Sequence, residues 1–92
     1  MNISSEYEIR LTAPAVRALR RLPEKVSTAV IEFGYGSLAA NPQRVGKPLK
    51  LGLAGLHSAR RGDYRVIYRI DESRHLVDIV AVEHRSDAYR RR

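Results

Sequence analysis

Two segments in the C-terminal half carry side chains that could act together on a phosphate ester. Arg65 lies in the segment Arg-Gly-Asp-Tyr-Arg-Val-Ile-Tyr at residues 61–68, and His84, Arg85 and Tyr89 lie in His-Arg-Ser-Asp-Ala-Tyr at residues 84–89. A guanidinium binds phosphate through two parallel hydrogen bonds, and histidine exchanges a proton near neutral pH. Tyrosine can serve as a base where neighbouring arginines lower its pKa. These four residues are therefore candidate catalytic residues.

Metal-free RNA cleavage is the reaction that this set of groups fits. It needs a base for the 2′-hydroxyl proton, an acid for the leaving 5′-oxygen, and fixed positive charge at the phosphorane. Arg65 is the candidate phosphate clamp, and His84 and Tyr89 are candidates for proton transfer. The chain has no cysteine, and its three histidines lack HExxH spacing, so the sequence predicts no disulfide, thiolate chemistry, metal site or cofactor.

Each of these residues also has a simpler interpretation. Arg65 could pair with a carboxylate across the sheet, and the available carboxylates are Asp63, Asp78 and Glu83. His84 could be a surface histidine, and Tyr89 could stack on a base or pack the C-terminus. Glu83 and His84 could instead act as a pair, although successive strand residues point to opposite faces, which opposes direct contact unless the strand ends there.

Positive charge is concentrated in the second half of the chain. Residues 44–92 hold twelve Lys and Arg against six Asp and Glu, whereas residues 1–43 hold five against four, and the net charge is +7. Fourteen of the bases are arginine, which binds phosphates bidentately and stacks on nucleobases. The pattern favours a nucleic acid partner, with a merely arginine-rich surface as the alternative. The residues predicted to contact RNA are Lys47, Lys50, His57, Arg60 and Arg61; Lys50 could equally be a solvated loop residue.

Length and composition predict one small domain spanning residues 1–92. A core of this size leaves little room for an enclosed pocket, so a shallow surface site is expected. Hydrophobic residues are 43% of the chain, which is enough for folding, and no apolar run approaches the roughly 20 residues of a membrane span. No basic segment leads into an apolar stretch at the N-terminus. A cytoplasmic protein with no membrane partner is the default expectation.

The N-terminal half predicts one strand followed by two helices. Residues 6–11 alternate polar and apolar side chains, which is the period of a half-buried strand. Thr12 is placed to cap a helix. The apolar residues of that helix, at helical spacing, are Val16, Leu19 and Leu22. Pro23 ends that helix and opens a second one, which glycines 34 and 36 weaken and Asn41-Pro42 closes. The two helices form a hairpin.

The C-terminal half predicts three strands after a loop at residues 42–55. The first two strands are residues 56–61 and 64–70, joined by a Gly62-Asp63 turn, and the second alternates in polarity. A turn at residues 71–74 leads into residues 76–82, an apolar run typical of a central strand with both faces covered. The fold class is therefore α+β: an N-terminal strand, a helical hairpin, and a three-stranded antiparallel meander with the helices packed on one sheet face.

Several short motifs, in order and with their spacing, cover residues 6–90. They are Leu22-Pro23, Asn41-Pro42, Gly46-Lys47-Pro48-Leu49, Gly55-Leu56-His57, and the two segments at residues 61–68 and 84–89. With these motifs the chain resembles the RelE/ParE superfamily of bacterial toxin-antitoxin toxins, and more closely its RelE branch. The last two segments are specific together, whereas either alone would be weak.

The resemblance implies an RNase-like fold and ribosome-dependent, metal-independent cleavage of mRNA in the ribosomal A site, which inhibits translation. It also implies neutralisation by a cognate RelB-like antitoxin, and contact with operator DNA only as part of the toxin-antitoxin complex. The chain departs from the best-known RelE pattern at two places. Glu83 stands where that pattern has a basic residue, and His57 and Ser58 stand where it has two lysines. The assignment of the general acid and base therefore stays open.

Two other functions are compatible with the same fold. One is a ParE-like, non-catalytic inhibitor of DNA gyrase, and the other is a catalytically degenerate toxin retained for antitoxin binding and promoter autoregulation. A gyrase inhibitor needs no titratable group at the sheet end where Arg65, His84, Arg85 and Tyr89 are predicted to gather. That concentration favours the nuclease.

Overall fold

The computed structural model describes residues 6–49 and 55–84. Its elements in chain order are β1 (Glu8–Leu11), α1 (Ala13–Arg21), α2 (Glu24–Phe33), a π-helical segment (Gly34–Leu38), α3 (Pro42–Val45), β2 (Lys47–Pro48), β3 (Leu56–Arg61), β4 (Tyr64–Asp71) and β5 (Leu76–His84). The strands form one sheet in the order β1-β5-β4-β3-β2. β1 runs parallel to β5, and all other neighbours are antiparallel. The predicted α+β fold is confirmed.

α1 is fixed to the sheet at its first residues. The Thr12 hydroxyl accepts a hydrogen bond from the Ala15 amide at 3.4 Å, as predicted for an N-cap, and donates to the Ile79 carbonyl of β5 at 3.0 Å. Ala15 and Ala18 are buried, and of the predicted stripe only Leu22 is buried, while Val16 and Leu19 are half-buried. The two alanines, rather than Val16 and Leu19, face the sheet. Their small side chains let the helix approach the sheet more closely than larger ones would.

The second helix changes its hydrogen bonding at the glycines. Its α-helical part ends at Phe33, and the chain continues as a π-helical segment that places Leu38 and Ala39 in the core. Gly34 lies above β5 and β1, since a Cβ there would be 3.4 Å from the Ile79 side chain. The Ser27 hydroxyl donates to the Leu19 carbonyl at 2.6 Å and joins the two helices. Within the described residues, no helix is long and apolar enough to cross a membrane.

The helices cover one face of the sheet, and the core lies between them. On β4 the side chains of Val66 and Tyr68 are fully buried on that face, whereas Arg65 and Arg69 are exposed on the other. On β5 a register shift leaves Val80 without a partner, so Ile79 and Val82 both face the core although they are three residues apart. The sheet residues of this core are Ile9, Ala59, Val66, Tyr68, Val77, Ile79 and Val82.

Three predictions about the C-terminal half need correction. β5 lies inside the sheet as predicted, but Asp78, Val80 and Ala81 are only half-buried, because the helices cover one face. β5 also continues through Glu83 and His84, since its pairing with β4 extends that far. The loop predicted at residues 42–55 contains α3 and β2.

Gly46 allows β2 to approach the rest of the sheet. A Cβ at this position would lie 2.7 Å from the Ser58 carbonyl oxygen and would also collide with the Tyr68 hydroxyl. That hydroxyl donates to the Pro42 carbonyl at 2.6 Å. Gly46 and Tyr68 together hold the segment from α3 to β2 against β3 and β4, and this segment becomes one wall of the site described next.

Candidate phosphate-binding site

An open groove of about 400 Å³ lies beside β2, β3 and the start of β4. Among the described residues that line it, four are basic and none is acidic. The basic residues are Lys47, Arg60, Arg61 and Arg65, and the others are Val45, Gly46, Pro48, Leu49 and Ser58. A concave surface with this charge attracts an anion that carries several acceptor oxygens. The shallow site expected from the chain length is therefore present.

Strand register explains why the basic side chains meet here. Arg60 of β3 is the direct partner of Arg65 of β4, and Lys47 of β2 is the partner of Ser58. Ala59 and Val66 alternate with the arginines and point into the core, so Arg60 and Arg65 point away from the helices. Like charges directly opposite one another destabilise a strand pair. A bound phosphate would relieve that repulsion, which makes the pair suited to anion binding.

Arg65 contacts a carboxylate as well as the groove. Its Nε and Nη2 atoms lie 3.1 and 3.0 Å from Oε1 of Glu83, its direct partner on β5. Of the three carboxylates considered from the sequence, Glu83 is the one that pairs with it. The side chains of Arg65 and Glu83 are 45% and 54% exposed, so the ion pair contributes at most about 1 kcal/mol. A phosphate can therefore compete for this guanidinium.

His84 lies at the same end of the sheet as Arg65, but on the opposite face. It is the partner of Tyr64, whose hydroxyl donates to the Ala29 carbonyl of α2 at 3.3 Å, so His84 is on the helix side. The expectation that His84 follows the strand and joins Arg65 is corrected, because pairing continues to His84 and alternates the faces. The same register separates the side chains of Glu83 and His84. The predicted catalytic residues Arg85 and Tyr89 lie outside the described residues.

Two of the predicted RNA-binding residues make other contacts. The His57 ring stacks on Tyr68 at a centroid distance of 5.5 Å, and its buried Nδ1 atom has no hydrogen-bond partner among the described residues. The Arg61 guanidinium lies 4.6 Å above the Phe33 ring, which is a cation-π contact, while the residue also lines the groove. Lys47 and Arg60 lie in the groove as expected, and Lys50 lies outside the described residues. RNA contact by these residues stays a prediction.

Nearby tyrosines are unsuited to act as bases. Burial raises the pKa of Tyr68 to about 12, with Arg61 opposing the shift. Burial also raises the pKa of Tyr64, against the lowering effect of Arg61. Both hydroxyls therefore stay protonated at neutral pH. Within residues 6–49 and 55–84, no three His, Cys, Asp or Glu side chains converge in a way that could hold a metal ion.

Sequence reasoning missed part of the groove. The wall at Val45–Leu49 fell within a predicted loop, and Ser58 was noted only as a departure from the RelE pattern. Gly46 next to a Lys-Pro pair was the available signal, since glycine often marks a close approach of two backbone segments. Glu83 was recognised as unusual in type, but its contact with Arg65 depends on strand register.

Comparisons with known proteins agree with this fold. Residues 9–89 match the model of the ParE toxin family, described as the ParE toxin of the type II toxin-antitoxin system parDE. The chain is 52% identical over 90 residues to Toxin RelE of Mycobacterium tuberculosis, covering 98% of this chain and 93% of that protein. It is 52% identical over 85 residues to Toxin RelG of the same organism, covering 92% of this chain and 98% of that protein.

A solved structure gives the same result. The crystal structure of the toxin-antitoxin complex RelBE2 from Mycobacterium tuberculosis contains a chain that superposes with a TM-score of 0.85 at 50% identity, covering 89% of this chain and 94% of that one. The chain belongs to the ParE toxin family of type II toxin-antitoxin systems, and within that superfamily it is a RelE-type toxin.

Proposed function

We propose that this toxin is a ribosome-dependent endoribonuclease that cleaves mRNA in the A site and so inhibits translation. The observation that carries the proposal is the groove in which Arg60 and Arg65 face each other across two strands, with Lys47 beside them. Its basic side chains fit a phosphate whose negative charge increases during cleavage. Fixed guanidinium groups stabilise such a transition state without a metal ion.

The groove residues have two proposed roles, which are binding the scissile phosphate and binding its neighbours. Arg65 binds the scissile phosphate, because it both lines the groove and lies at the sheet end that leads to residues 85–89. Lys47, Arg60 and Arg61 contact neighbouring phosphates and hold the strand in position. Arg85 and Tyr89 remain proposed members of the same site. The shallowness of the groove suits a substrate that the ribosome presents in a fixed conformation.

A RelB-like antitoxin is the proposed inhibitor. The RelBE2 structure from Mycobacterium tuberculosis, whose matching chain is 50% identical to this one, is a toxin-antitoxin complex. The basic groove of this chain also offers a surface that acidic side chains of a partner could cover. Contact with operator DNA would then occur only in the complex. The site of action would be the cytoplasm, where ribosomes translate mRNA.

The test uses purified toxin and ribosomes programmed with a defined mRNA. We expect a cut within the A-site codon, and we expect the antitoxin encoded beside the toxin to prevent both the cut and the arrest of growth. The family description also covers ParE toxins, which makes gyrase inhibition the second candidate. Blocked supercoiling by gyrase, with intact mRNA on the ribosome, would replace the nuclease proposal with that candidate.

A further inference from the structure

One carboxylate lies on the open face beside the groove. β3, β4 and β5 bring Ser58, Arg60, Arg65 and Glu83 to this face at the groove end of the sheet. Arginine keeps its proton in proteins, and a serine hydroxyl does not accept one readily at neutral pH. Among the described side chains on this part of the face, Glu83 is therefore the group suited to take up a proton.

The contact with Arg65 determines where that carboxylate lies. One oxygen of Glu83, Oε1, accepts a hydrogen bond from Nε of Arg65 and lies 3.0 Å from its Nη2. Within the described residues its other oxygen, Oε2, accepts no hydrogen bond. Because Arg65 also lines the groove, a phosphate bound there can contact the same guanidinium that contacts Glu83. The 2′-hydroxyl that attacks this phosphate belongs to the ribose that carries it, so Glu83 is the carboxylate placed beside the reacting group.

Resting on the proposed function, we propose that Glu83 is the general base of the cleavage reaction. Its Oε2 removes the proton of the 2′-hydroxyl whose neighbouring 3′-phosphate is bound by Arg65. The 2′-oxygen then forms a bond to phosphorus while the bond from phosphorus to the 5′-oxygen breaks. The departing 5′-oxygen takes a proton from solvent or from an acid across the groove, and Glu83 releases its proton to water. The products are a 2′,3′-cyclic phosphate and a 5′-hydroxyl.

The other proton acceptors considered fit this position less well. His84 is the partner of Tyr64 and lies on the helix side of the sheet, away from Arg65. The raised pKa values of Tyr64 and Tyr68 keep both hydroxyls protonated. Glu83 is half-exposed, so a substrate can reach it. The glutamate that replaces a basic residue of the RelE pattern thereby gains a function of its own.

The first experiment compares two carboxylates on the same strand and the same face. Asp78 pairs with Arg10 of β1 at 3.3 Å, and it lies away from the groove. Glu83→Gln and Asp78→Asn each remove one negative charge and one exposed ion pair. On programmed ribosomes we expect Glu83→Gln to cleave about 10²- to 10⁴-fold more slowly and Asp78→Asn to keep the wild-type rate. Binding of an mRNA with a 2′-O-methyl group at the cleavage site should not weaken in either variant.

A second experiment uses two measurements. A sulfur-substituted substrate distinguishes removal of the 2′-hydroxyl proton from protonation of the leaving group, and the pH profile distinguishes proton removal from the positioning of Arg65. A substrate with sulfur in place of the bridging 5′-oxygen has a leaving group that needs no protonation. The Glu83→Gln defect should persist with that substrate, because the 2′-hydroxyl must still lose its proton. The pH profile of the variant should lack the rise in rate that ionisation of the base produces. Glu83→Asp should recover part of the rate, since it retains a carboxylate.

The outcomes separate this assignment from the proposed function. If wild-type toxin cleaves and Glu83→Gln cleaves equally fast, the assignment is wrong and the nuclease proposal stands. A faster Glu83→Gln enzyme would also overturn it, and would show that Glu83 competes with the phosphate for Arg65. If wild-type toxin leaves the mRNA intact, the proposed function fails and the assignment fails with it.

Discussion

The two faces of β4 differ in almost every physical property, although their residues alternate along one strand. Val66 and Tyr68 point toward the helices and are fully buried, whereas Arg65 and Arg69 point outward and are exposed. The buried face supplies most of the free energy of folding through apolar contact, while the outer face contributes charge and little stability. Substitutions one residue apart should therefore change different properties: the reaction rate on the outer face and the stability on the buried face. Four predictions test this difference, from the largest expected effect to the smallest.

Arg65→Ala should affect the reaction and leave the fold intact. Loss of one donor that stabilises the phosphorane typically lowers a rate about 10²- to 10³-fold. The free energy of unfolding should change by no more than about 1 kcal/mol, because the ion pair with Glu83 is exposed. Single-turnover cleavage on ribosomes and urea denaturation measure the two effects. Arg65→Lys should restore activity only in part, and a folded Arg65→Ala toxin with the wild-type rate would exclude the phosphate role.

Val66→Ala should show the opposite behaviour. It removes two buried methyl groups and leaves a cavity beneath the sheet, at a cost of about 2 kcal/mol of stability. The cleavage rate per folded molecule should stay at the wild-type value when measured well below the melting temperature. Urea denaturation and an active-site titration test this pair of expectations. A large drop in rate with unchanged stability would mean that the two faces are not separable.

Tyr68→Phe should reveal the buried hydroxyl through its pH dependence. At neutral pH the variant loses the hydrogen bond to the Pro42 carbonyl, which costs about 1 kcal/mol. Because burial raises the pKa of Tyr68 to about 12, the folded state favours the neutral phenol. The stability linked to Tyr68 is fully present below about pH 10, the pKa of an unperturbed tyrosine, and is lost as pH rises toward 12.

The stability gap between wild type and Tyr68→Phe should therefore narrow between about pH 10 and pH 12. Urea denaturation at a series of pH values measures this difference in stability. Tyr64, whose pKa is also raised, is present in both proteins, so its titration does not change the difference. A gap that stays constant to pH 12 would contradict the assignment of the raised pKa to Tyr68.

The neighbours Arg60 and Arg61 provide the smallest and most specific test. Arg60→Ala should weaken binding of mRNA and reduce the salt dependence of binding by about one phosphate contact. Arg61→Ala should in addition lower stability by about 0.5 to 1 kcal/mol, because it removes the cation-π contact with Phe33. Filter binding at several salt concentrations and thermal melts measure both quantities. Equal stability losses in the two variants would show that the Phe33 contact has no energetic importance.

The sequence predicted most of the fold because local signals and tertiary structure agreed. Thr12, Pro23 and the Gly62-Asp63 turn mark boundaries through backbone chemistry that acts within a few residues. β2 was missed because two residues carry no periodic pattern, and their pairing depends on Gly46 lying close to Ser58. The position of β1 was left open, since its partner lies far away in the chain.

The site was harder to predict than the fold. Polarity alternation on β4 correctly placed Arg65 outside the core. Its partner could not be chosen among three carboxylates, because that choice depends on the register between β4 and β5. The same register separates His84 from Arg65, and the sequence gives no local sign of where the pairing stops. His57 and Arg61 were grouped with the groove by charge alone, without regard to the face on which each lies.

The parallel pairing of β1 with β5 makes the folding of the N-terminal strand wait for the synthesis of residues 76–84. β1 is made first, yet its neighbour in the sheet is the strand at residues 76–84, with Glu8 opposite Leu76. Contacts between such distant residues close large loops and form late. On the translating ribosome the helical hairpin can form early, but β1 cannot join the sheet until β5 has left the exit tunnel. The contact between Glu83 and Arg65 therefore forms late as well, because it exists only when β5 joins the sheet beside β4.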